Sequence, residues 1–304
     1  MIDVASGWED APSVLILADR ADQRLAAEAA VRSAQARIVG VVALGDAKVR
    51  LAQQVSVDAV LIELQAPLEP AHDALLRWAN EAAREGHTAP IICLPSMLID
   101  AVMARIDEPG VQLLCDPSEG ERAAQLGLQL ARRRQRLHDH ALEDDSDRLR
   151  RLSEDVARIA ASLAEMSNAR PNAYGPVSDY ARPAEPSRMT SERVRDLIRI
   201  RRLREQFLPR GLFSDPAWDM LLDLYAARLD GKRVAVSSLC IAAAVPATTA
   251  LRWIRTLTEN GLFIRHEDPG DGRRVFIALA EPTADALSPY FATAFQMGYR
   301  LPST

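Results

Sequence analysis

Three polar side chains that suit contact with nucleic-acid bases lie close together in the C-terminal third of the chain. Thr248, Thr249 and Arg252 fall on the polar face of a predicted amphipathic helix, about 247–260. A hydroxyl donates or accepts a hydrogen bond at a base edge, and a guanidinium binds both acceptors of guanine in the major groove. The residue types and their spacing therefore predict a helix that reads base pairs of DNA.

Three arginines nearby suit a different contact. Arg255 follows on the same helix, and Arg273 and Arg274 lie in the turn-rich segment 268–274. Phosphate contacts fix the position of a protein on a duplex, whereas base contacts give the sequence preference. We therefore expect these three arginines to contact phosphate or the minor groove.

The elements around these residues have the order of a winged helix-turn-helix. A short apolar helix is expected over 237–244, and Pro246 then opens the second helix, whose first turn tolerates proline. The second helix has an apolar face at helical spacing, formed by Ala250, Trp253, Ile254 and Leu257. Gly261 suits the left-handed residue that ends a helix. Two apolar runs on either side of 268–274 predict a hairpin with a basic tip, the wing.

These motifs resemble those of the MarR-type winged-helix repressors over roughly 190–291. The segments that carry the resemblance are LRWIRTLTENGLFIR and DGRRVFIAL. The matching residues are Leu257, Gly261, Leu262 and Arg265 at the end of the second helix, and Asp271 with Arg273 in the wing. Leu251 departs from the family, which usually has a small polar residue facing DNA at that position. The resemblance implies DNA binding, and a winged helix used only for protein contacts is the alternative.

The charge of the chain is distributed unevenly. The net charge is −5, but 17 Lys and Arg stand against 13 Asp and Glu from residue 187 onward, and 20 against 29 before it. The excess of basic residues therefore coincides with the predicted winged helix, as expected for a nucleic-acid-binding domain.

The cysteines and the hydropathy pattern indicate the cellular compartment in which the protein works. Cys93, Cys115 and Cys240 lie in apolar surroundings without the spacing of a metal site, which predicts core thiols in a reduced cytoplasm. A redox switch is the alternative. No apolar run reaches transmembrane length and the N-terminal residues predict no signal peptide, so we expect no membrane contact. We also expect no metal and no cofactor.

Apolar runs alternate with helical patterns five times before residue 120. Strands are expected at 14–18, 38–43, 59–62, 91–94 and 111–115. Continuous apolar strands separated by helices predict a doubly wound parallel sheet that is covered on both faces. No glycine-rich phosphate loop follows the first strand, so nucleotide binding is not expected.

This repeat resembles the receiver domain of two-component response regulators. At the positions of that family's phosphoacceptor pocket the chain has Asp19, Glu63, Pro95 and Asp116. The resemblance implies paired acids, a phosphorylated Asp, a Ser or Thr, and a Lys at those places. An anion instead of the lysine repels phosphate, and proline has no hydroxyl to bind it. The sequence therefore predicts a degenerate pocket in a pseudo-receiver that works without phosphorylation. A solvated acidic rim, a divalent-metal pocket and a small-ligand site are alternatives.

A long helix is expected to follow the sheet. Its heptad seam is Leu149, Leu152, Val156, Ile159, Leu163 and Met166. This seam predicts a parallel dimeric coiled coil, and a helix lying along its own domain is the alternative. Prolines between 167 and 187 predict a semi-rigid linker. The sequence therefore predicts a multidomain chain of the α/β plus mainly α class. Its segments are a receiver-like domain at 1–120, the helix or coiled coil at 121–167, the Pro-rich linker at 168–188 and the winged helix-turn-helix at 189–304.

The expected function is regulation of transcription by a homodimer joined through about 121–167. Two recognition helices would contact double-stranded DNA at half-sites about one helical turn apart. The receiver-like domain would serve dimerisation or signal input, with a protein partner as one form of that input. An RNA-binding antiterminator and a protein-interaction adaptor are alternative functions. No nucleophile–base pair or phosphate loop indicates an enzyme.

Overall fold

A parallel sheet of five strands occupies the first part of the chain. The structure, a computed structural model, describes residues 11–53, 56–65, 67–135, 189–207, 214–268, 270–271 and 274–296. The strands are β1 (Ser13–Leu17), β2 (Arg37–Val42), β3 (Ala59–Glu63), β4 (Ala89–Leu94) and β5 (Gln112–Cys115). They lie in the order β2-β1-β3-β4-β5, and every neighbouring pair is parallel. This order is one of the two common ones of doubly wound sheets.

Helices cover both faces of this sheet, as its apolar strands require. They are α1 (Ala21–Ser33), α2 (Ala47–Gln53), α3 (Pro70–Glu85), α4 (Ile99–Met103) and α5 (residues 119–135). On one face, Val31 of α1 and Leu126 of α5 share a buried cluster with Leu61 of β3. On the other face, Leu76 of α3 and Val102 of α4 share a cluster with β3 and β4. The predicted parallel sheet with two covered faces is confirmed.

A mainly helical region follows residue 189. Its elements are α6 (Ser191–Leu203), α7 (Pro216–Leu229), β6 (Val234–Ala235), α8 (Val236–Ala242), α9 (Ala247–Glu259), β7 (Phe263–Glu267), β8 (Val275–Leu279) and α10 (Glu281–Gln296). The three strands form an antiparallel sheet in the order β6-β8-β7. Two helices joined by a turn and followed by a hairpin appear where the sequence predicts them. Strand β6 was not predicted, because two residues are too few to show alternation.

Helices α7 and α10 pack through an aromatic cluster. Asp215 caps α7 by accepting a hydrogen bond from the backbone N–H of Trp218 at 3.2 Å. The ring centroids of Tyr225 and Phe291 lie 5.1 Å apart, and those of Trp218 and Tyr290 also 5.1 Å. Helix α10 begins at Glu281, two residues after the end of β8. Its buried Phe291 packs within the same chain.

The arginine-rich helix α6 is tied to its own region. Arg195 pairs with Asp230, and Arg201 lies 3.3 Å from the carboxylate of Asp219. Arg202 donates to the carbonyl oxygen of Ala242. These arginines therefore position α6 against α7 and α8.

One prediction about the apolar face of α9 is wrong. Trp253 is 38 % exposed, whereas Leu251 is 4 % exposed. The spacing of Ala250, Ile254 and Leu257 defines the face that packs into the helical region. Leu251 is buried as well because the parallel sheet covers the adjoining side of α9.

The parallel sheet and the helical region belong to one compact unit. A single cluster of buried side chains runs from the α2–α4 face of the sheet into α7, α8 and α9. A second unit comprises Ala131–Glu185, of which residues 131–135 are described. The predicted heptad seam at 149–166 and the predicted linker at 168–188 lie outside the described residues.

No single helix within the described ranges is long and apolar enough to cross a membrane. Taken together, helices α8 and α9 are long and apolar enough to span a membrane, but the pair is bent by 109° at the break between them.

Candidate nucleic-acid interface

Helix α9 carries the residues predicted to contact bases. Gly261 follows the end of α9 and has φ at +70°, the left-handed conformation predicted for it. Thr249 is half-buried and Arg252 is exposed. The buried core face of α9 thus leaves its polar face pointing away from the helical region.

Thr248 is held by the last residue of strand β5. Its Oγ1 accepts a hydrogen bond from the backbone N–H of Cys115 at 2.9 Å and donates to the Cys115 carbonyl oxygen at 3.4 Å. Strand β5 is an edge strand, so the outward backbone groups of Cys115 have no partner strand. The hydroxyl of Thr248 satisfies both groups.

Two arginines of the helical region donate to the loop between α4 and β5. Arg255 Nη1 lies 2.8 Å from the carbonyl oxygen of Pro109, and Arg265 Nη1 lies 2.8 Å from that of Ile106. Burial lowers the pKa of both guanidinium groups from their usual value. Arg255, which was predicted to contact phosphate, therefore points at the sheet's own backbone.

A further polar contact joins α8 to α4. The backbone N–H and the hydroxyl of Ser237 donate to the two carboxylate oxygens of Asp100, at 2.9 and 2.5 Å. We call the contact between α4–β5 and α8–α9 the docking interface. It is formed by Asp100, Pro109, Leu113, Cys115, Ser237, Thr248, Leu251 and Arg255.

Leu251 lies at the apolar centre of the docking interface. It lines a small cavity of about 40 Å³ together with Met103, Leu113 and Leu114. Arg252 lines the same cavity and has an exposed side chain. A leucine at this place is explained by the sheet that covers it.

The wing connects β7 to β8. The backbone of Asp268 donates to the carbonyl oxygen of Arg274 at 3.1 Å. Arg274 is exposed, and its Nε lies 3.7 Å from a carboxylate oxygen of Asp271. Arg233 lies over the ring of Phe276, 4.2 Å from the centroid, and places another cation beside the wing. Arg273 lies outside the described residues.

A second polar site lies at the carboxyl ends of the parallel strands. We call it the sheet-edge cavity, which has a volume of about 390 Å³ and is lined by residues that include Asp22, Gln23, Glu63, Pro95, Asp116 and Arg122. Glu63 is 2 % exposed and pairs with Arg122 through two contacts, Nε–Oε1 at 2.8 Å and Nη2–Oε2 at 3.2 Å. Burial by itself lowers the pKa of Arg122, but the hydrogen bonds and charge of Glu63 outweigh it and raise the pKa. The centre of the cavity is therefore a bidentate ion pair.

The other residues predicted for this pocket have separate roles. Asp116, which has φ at +45°, accepts a hydrogen bond from the backbone N–H of Ser96 at 3.0 Å. Pro95 lines the cavity and precedes the short 3₁₀ turn that Ser96 begins. Asp19 accepts from the backbone N–H of Leu44 at 2.8 Å, and so secures the chain after β2. Glu63, Pro95 and Asp116 are brought together at the cavity, whereas the predicted Asp19 is not among the residues that line it.

Sequence reasoning missed Arg122. The sequence contains a weak signal for it, because Ser118 and Glu121 form a side-chain and backbone cap that starts α5 directly after β5. That start places Arg122 near the carboxyl ends of the strands, but its partner on β3 is 59 residues away in sequence. Among the described residues, no group of three or more His, Cys, Asp and Glu side chains is arranged to hold a metal.

Comparison with known proteins gives a partial likeness. No protein-family model and no curated protein matches this chain. Solved structures similar to part of it include S. aureus MepR bound to ethidium bromide, with 19 % identity over 35 % of this chain and 73 % of that chain, and a TM-score of 0.25. An S. aureus MepR–DNA complex has 17 % identity over 36 % and 82 %, with a TM-score of 0.26. A probable transcriptional regulator from Pseudomonas aeruginosa has 23 % identity over 34 % and 74 %, with a TM-score of 0.23.

Proposed function

We propose that the chain is a sequence-specific DNA-binding regulator of transcription that acts as a cytoplasmic homodimer. The observation that carries the proposal is the turn between α8 and α9 followed directly by the β7–β8 hairpin. In a winged helix-turn-helix, the second helix enters the major groove and the wing contacts the flanking backbone. The excess of basic residues after residue 187 supports the same assignment.

Within α9 we assign base contacts to Thr248, Thr249 and Arg252. We assign phosphate or minor-groove contacts to Arg255, Arg273 and Arg274. The exposure of Arg252 and Arg274 supports their part of this assignment. Dimerisation through about 121–167 would place two such surfaces on two half-sites of a near-palindrome.

We further propose that the parallel sheet is a receiver-like domain that works without phosphorylation and serves dimerisation or signal input. Its strand order, with the first strand between the second and third, supports the receiver-like assignment. The ion pair of Glu63 with Arg122 supports independence from phosphorylation, because the carboxylate is already neutralised from within the domain. Asp116 adds a negative charge where phosphate would need a positive one.

A second candidate function is favoured by one observation. Thr248 and Arg255 contact backbone groups of the sheet, so the polar face of α9 already binds protein. A winged helix used only for protein contacts, in an adaptor, would have this property.

The experiment that separates the two functions is a selection from genomic DNA fragments with the purified full-length protein at two salt concentrations. Recovery of a two-fold-symmetric duplex motif is the result expected for a dimeric regulator. Recovery of fragments without a shared motif, bound only at low salt, would favour the adaptor.

Arg252→Ala tests the base-reading helix. We expect the variant to lose roughly 1–3 kcal/mol of binding free energy for the selected duplex and to relax the preference at one base position. The measurement is a titration of the selected duplex and of its single-base variants. An equal loss on specific and random DNA would remove Arg252 from the base-reading set.

Arg274→Ala is the matched variant for phosphate contact. We expect binding to weaken equally on all duplexes, and the slope of log K against log salt to fall by about one. A change in base preference with an unchanged slope would contradict the assignment.

A further inference from the structure

The side of α9 that faces the sheet overlaps the side assigned to DNA. Thr248, Leu251 and Arg255 follow one another at spacings of three and four residues, so they lie on one side of the helix. All three contact or line the docking interface. Thr248 and Arg255 belong to the proposed DNA-binding set, and Leu251 lies between them.

The docking interface is a specific contact. Thr248 satisfies both backbone groups of Cys115 at the edge of the sheet, and Ser237 makes two hydrogen bonds to the carboxylate of Asp100. Arg255 and Arg265 donate to two carbonyl oxygens of one loop, at Pro109 and Ile106. Hydrogen bonds thus join the parallel-sheet domain to α8, α9 and β7.

Docking and DNA binding exclude each other sterically. A recognition helix inserts one side into a major groove about 12 Å wide, with base edges at the floor and phosphates on both rims. In the docked arrangement strand β5 contacts that side of α9, and the loop at Pro109 takes the donor of Arg255. A duplex therefore requires α9 to leave β5.

The apolar residue at the centre of this side has the same explanation. Leu251 is 4 % exposed because Leu113 and Leu114 of β5 and Met103 of α4 lie around it. If α9 faced only water and DNA, a leucine at this position would expose its apolar side chain to solvent. Docking buries its apolar surface, which stabilises the docked arrangement.

We propose that the parallel-sheet domain is an intramolecular inhibitor of the recognition helix, and that the protein binds DNA only in a form in which the docking interface has opened. This proposal rests on the proposed function. The apparent affinity for DNA is then the intrinsic affinity reduced by the fraction of open molecules. Any partner that binds the open form better raises that fraction.

The test uses Asp100→Ala in the full-length protein. Asp100 lies on α4, outside the proposed DNA-binding residues, so the variant weakens docking and leaves the contacts with DNA intact. We expect the dissociation constant for the selected duplex to fall about tenfold, which corresponds to about 1.4 kcal/mol. The salt slope should stay unchanged because no phosphate contact is added. Glu81→Ala, which removes a carboxylate of equal charge from the exposed side of α3, is the control and should bind as the wild type does.

Hydrogen exchange reports docking independently of affinity. The amide of Cys115 is protected by Thr248 in the docked form, so Asp100→Ala should accelerate its exchange. Saturating duplex should do the same in the wild type, which tests the proposal without any variant. Asp100→Asn, which keeps the shape of the side chain, replaces the alanine variant if that variant does not fold.

The outcomes separate the two proposals. Faster exchange in Asp100→Ala with unchanged DNA affinity would overturn the inhibition and leave DNA binding standing. Binding of duplex by the wild type with the Cys115 amide still protected would overturn it as well. Faster exchange with no specific duplex bound by either protein would overturn the proposed function, and the inhibition with it.

Discussion

The sheet-edge cavity and the docking interface use charged and polar side chains in opposite ways. In the cavity, Glu63 and Arg122 satisfy each other at 2.8 and 3.2 Å, and both belong to the parallel-sheet domain. At the interface, Thr248 and Arg255 from the helical region bond to backbone groups of the sheet. The first site holds one domain together, and the second joins two.

The difference determines which contact is reversible. Separating Glu63 from Arg122 would leave two buried charges unpaired, which is costly in a medium of low polarity. Opening the docking interface exposes the apolar surface around Leu251, but its hydroxyl, guanidinium and carbonyl groups can bind water, so the net loss per hydrogen bond is small. The two sites meet at consecutive residues, since Cys115 holds Thr248 and Asp116 lines the cavity. The end of β5 therefore contributes both to the sheet-edge cavity, which stays intact, and to the docking interface, which can open.

The largest expected effect tests the fixed site. Glu63→Ala leaves the guanidinium of Arg122, whose side chain is 14 % exposed, without its carboxylate partner and with a hydrogen bond to the carbonyl oxygen of Pro117 at 2.6 Å. We expect a loss of about 3–5 kcal/mol in the free energy of unfolding, because an unpaired buried charge remains. Denaturation by urea measures it.

Two further variants control that result. Asp22→Ala, from an ion pair on the surface, should leave the unfolding free energy without measurable change. A double variant, Glu63→Leu with Arg122→Met, removes both charges and should recover most of the loss. A double variant as unstable as Glu63→Ala would show that the unpaired charge is not the cause.

The elements of the fold that depend on neighbouring residues could be predicted from the sequence. The five strands of the sheet and the α8–α9–hairpin order follow from local patterns, because apolar runs, helical spacing and turn residues act within a few positions. Gly261 has the predicted left-handed backbone for the same local reason. The resemblance to receiver domains predicted one pocket for Asp19, Glu63, Pro95 and Asp116, and the last three line the sheet-edge cavity.

The contacts between distant segments could not be predicted in this way. The pair of Glu63 with Arg122 and the bonds of Thr248 to Cys115 join residues 59 and 133 positions apart. No periodicity spans such distances. Leu251 was the one local sign of docking, as an apolar residue at a place expected to face DNA. Trp253 lies at the opposite edge of the core face of α9 from Leu251 and remains 38 % exposed.

A smaller effect is expected at the docking interface. Thr248→Val keeps the shape of the side chain and removes the hydroxyl, which leaves the backbone N–H of Cys115 without that acceptor. We expect a loss of about 1–3 kcal/mol in the free energy of unfolding, and faster exchange of the Cys115 amide. Thr256→Val on the exposed side of α9 is the matched control and should change neither. Slow exchange at Cys115 in the Thr248 variant would mean that the hydroxyl does not hold α9 on the strand.

The smallest effect concerns the pH dependence of the interface. Burial, followed by the charges of Cys115 and Asp100, raises the pKa of the Cys240 thiol from about 9 to about 12. The folded protein therefore keeps a proton that the unfolded chain loses, so this contribution to stability is complete below pH 9 and declines as the pH rises toward 12. Urea unfolding between pH 8 and pH 10 should show the decline, and Cys240→Ala should reduce its slope by at most about 1.4 kcal/mol per pH unit. An unchanged slope in Cys240→Ala would mean that the folded protein does not raise the pKa of this thiol.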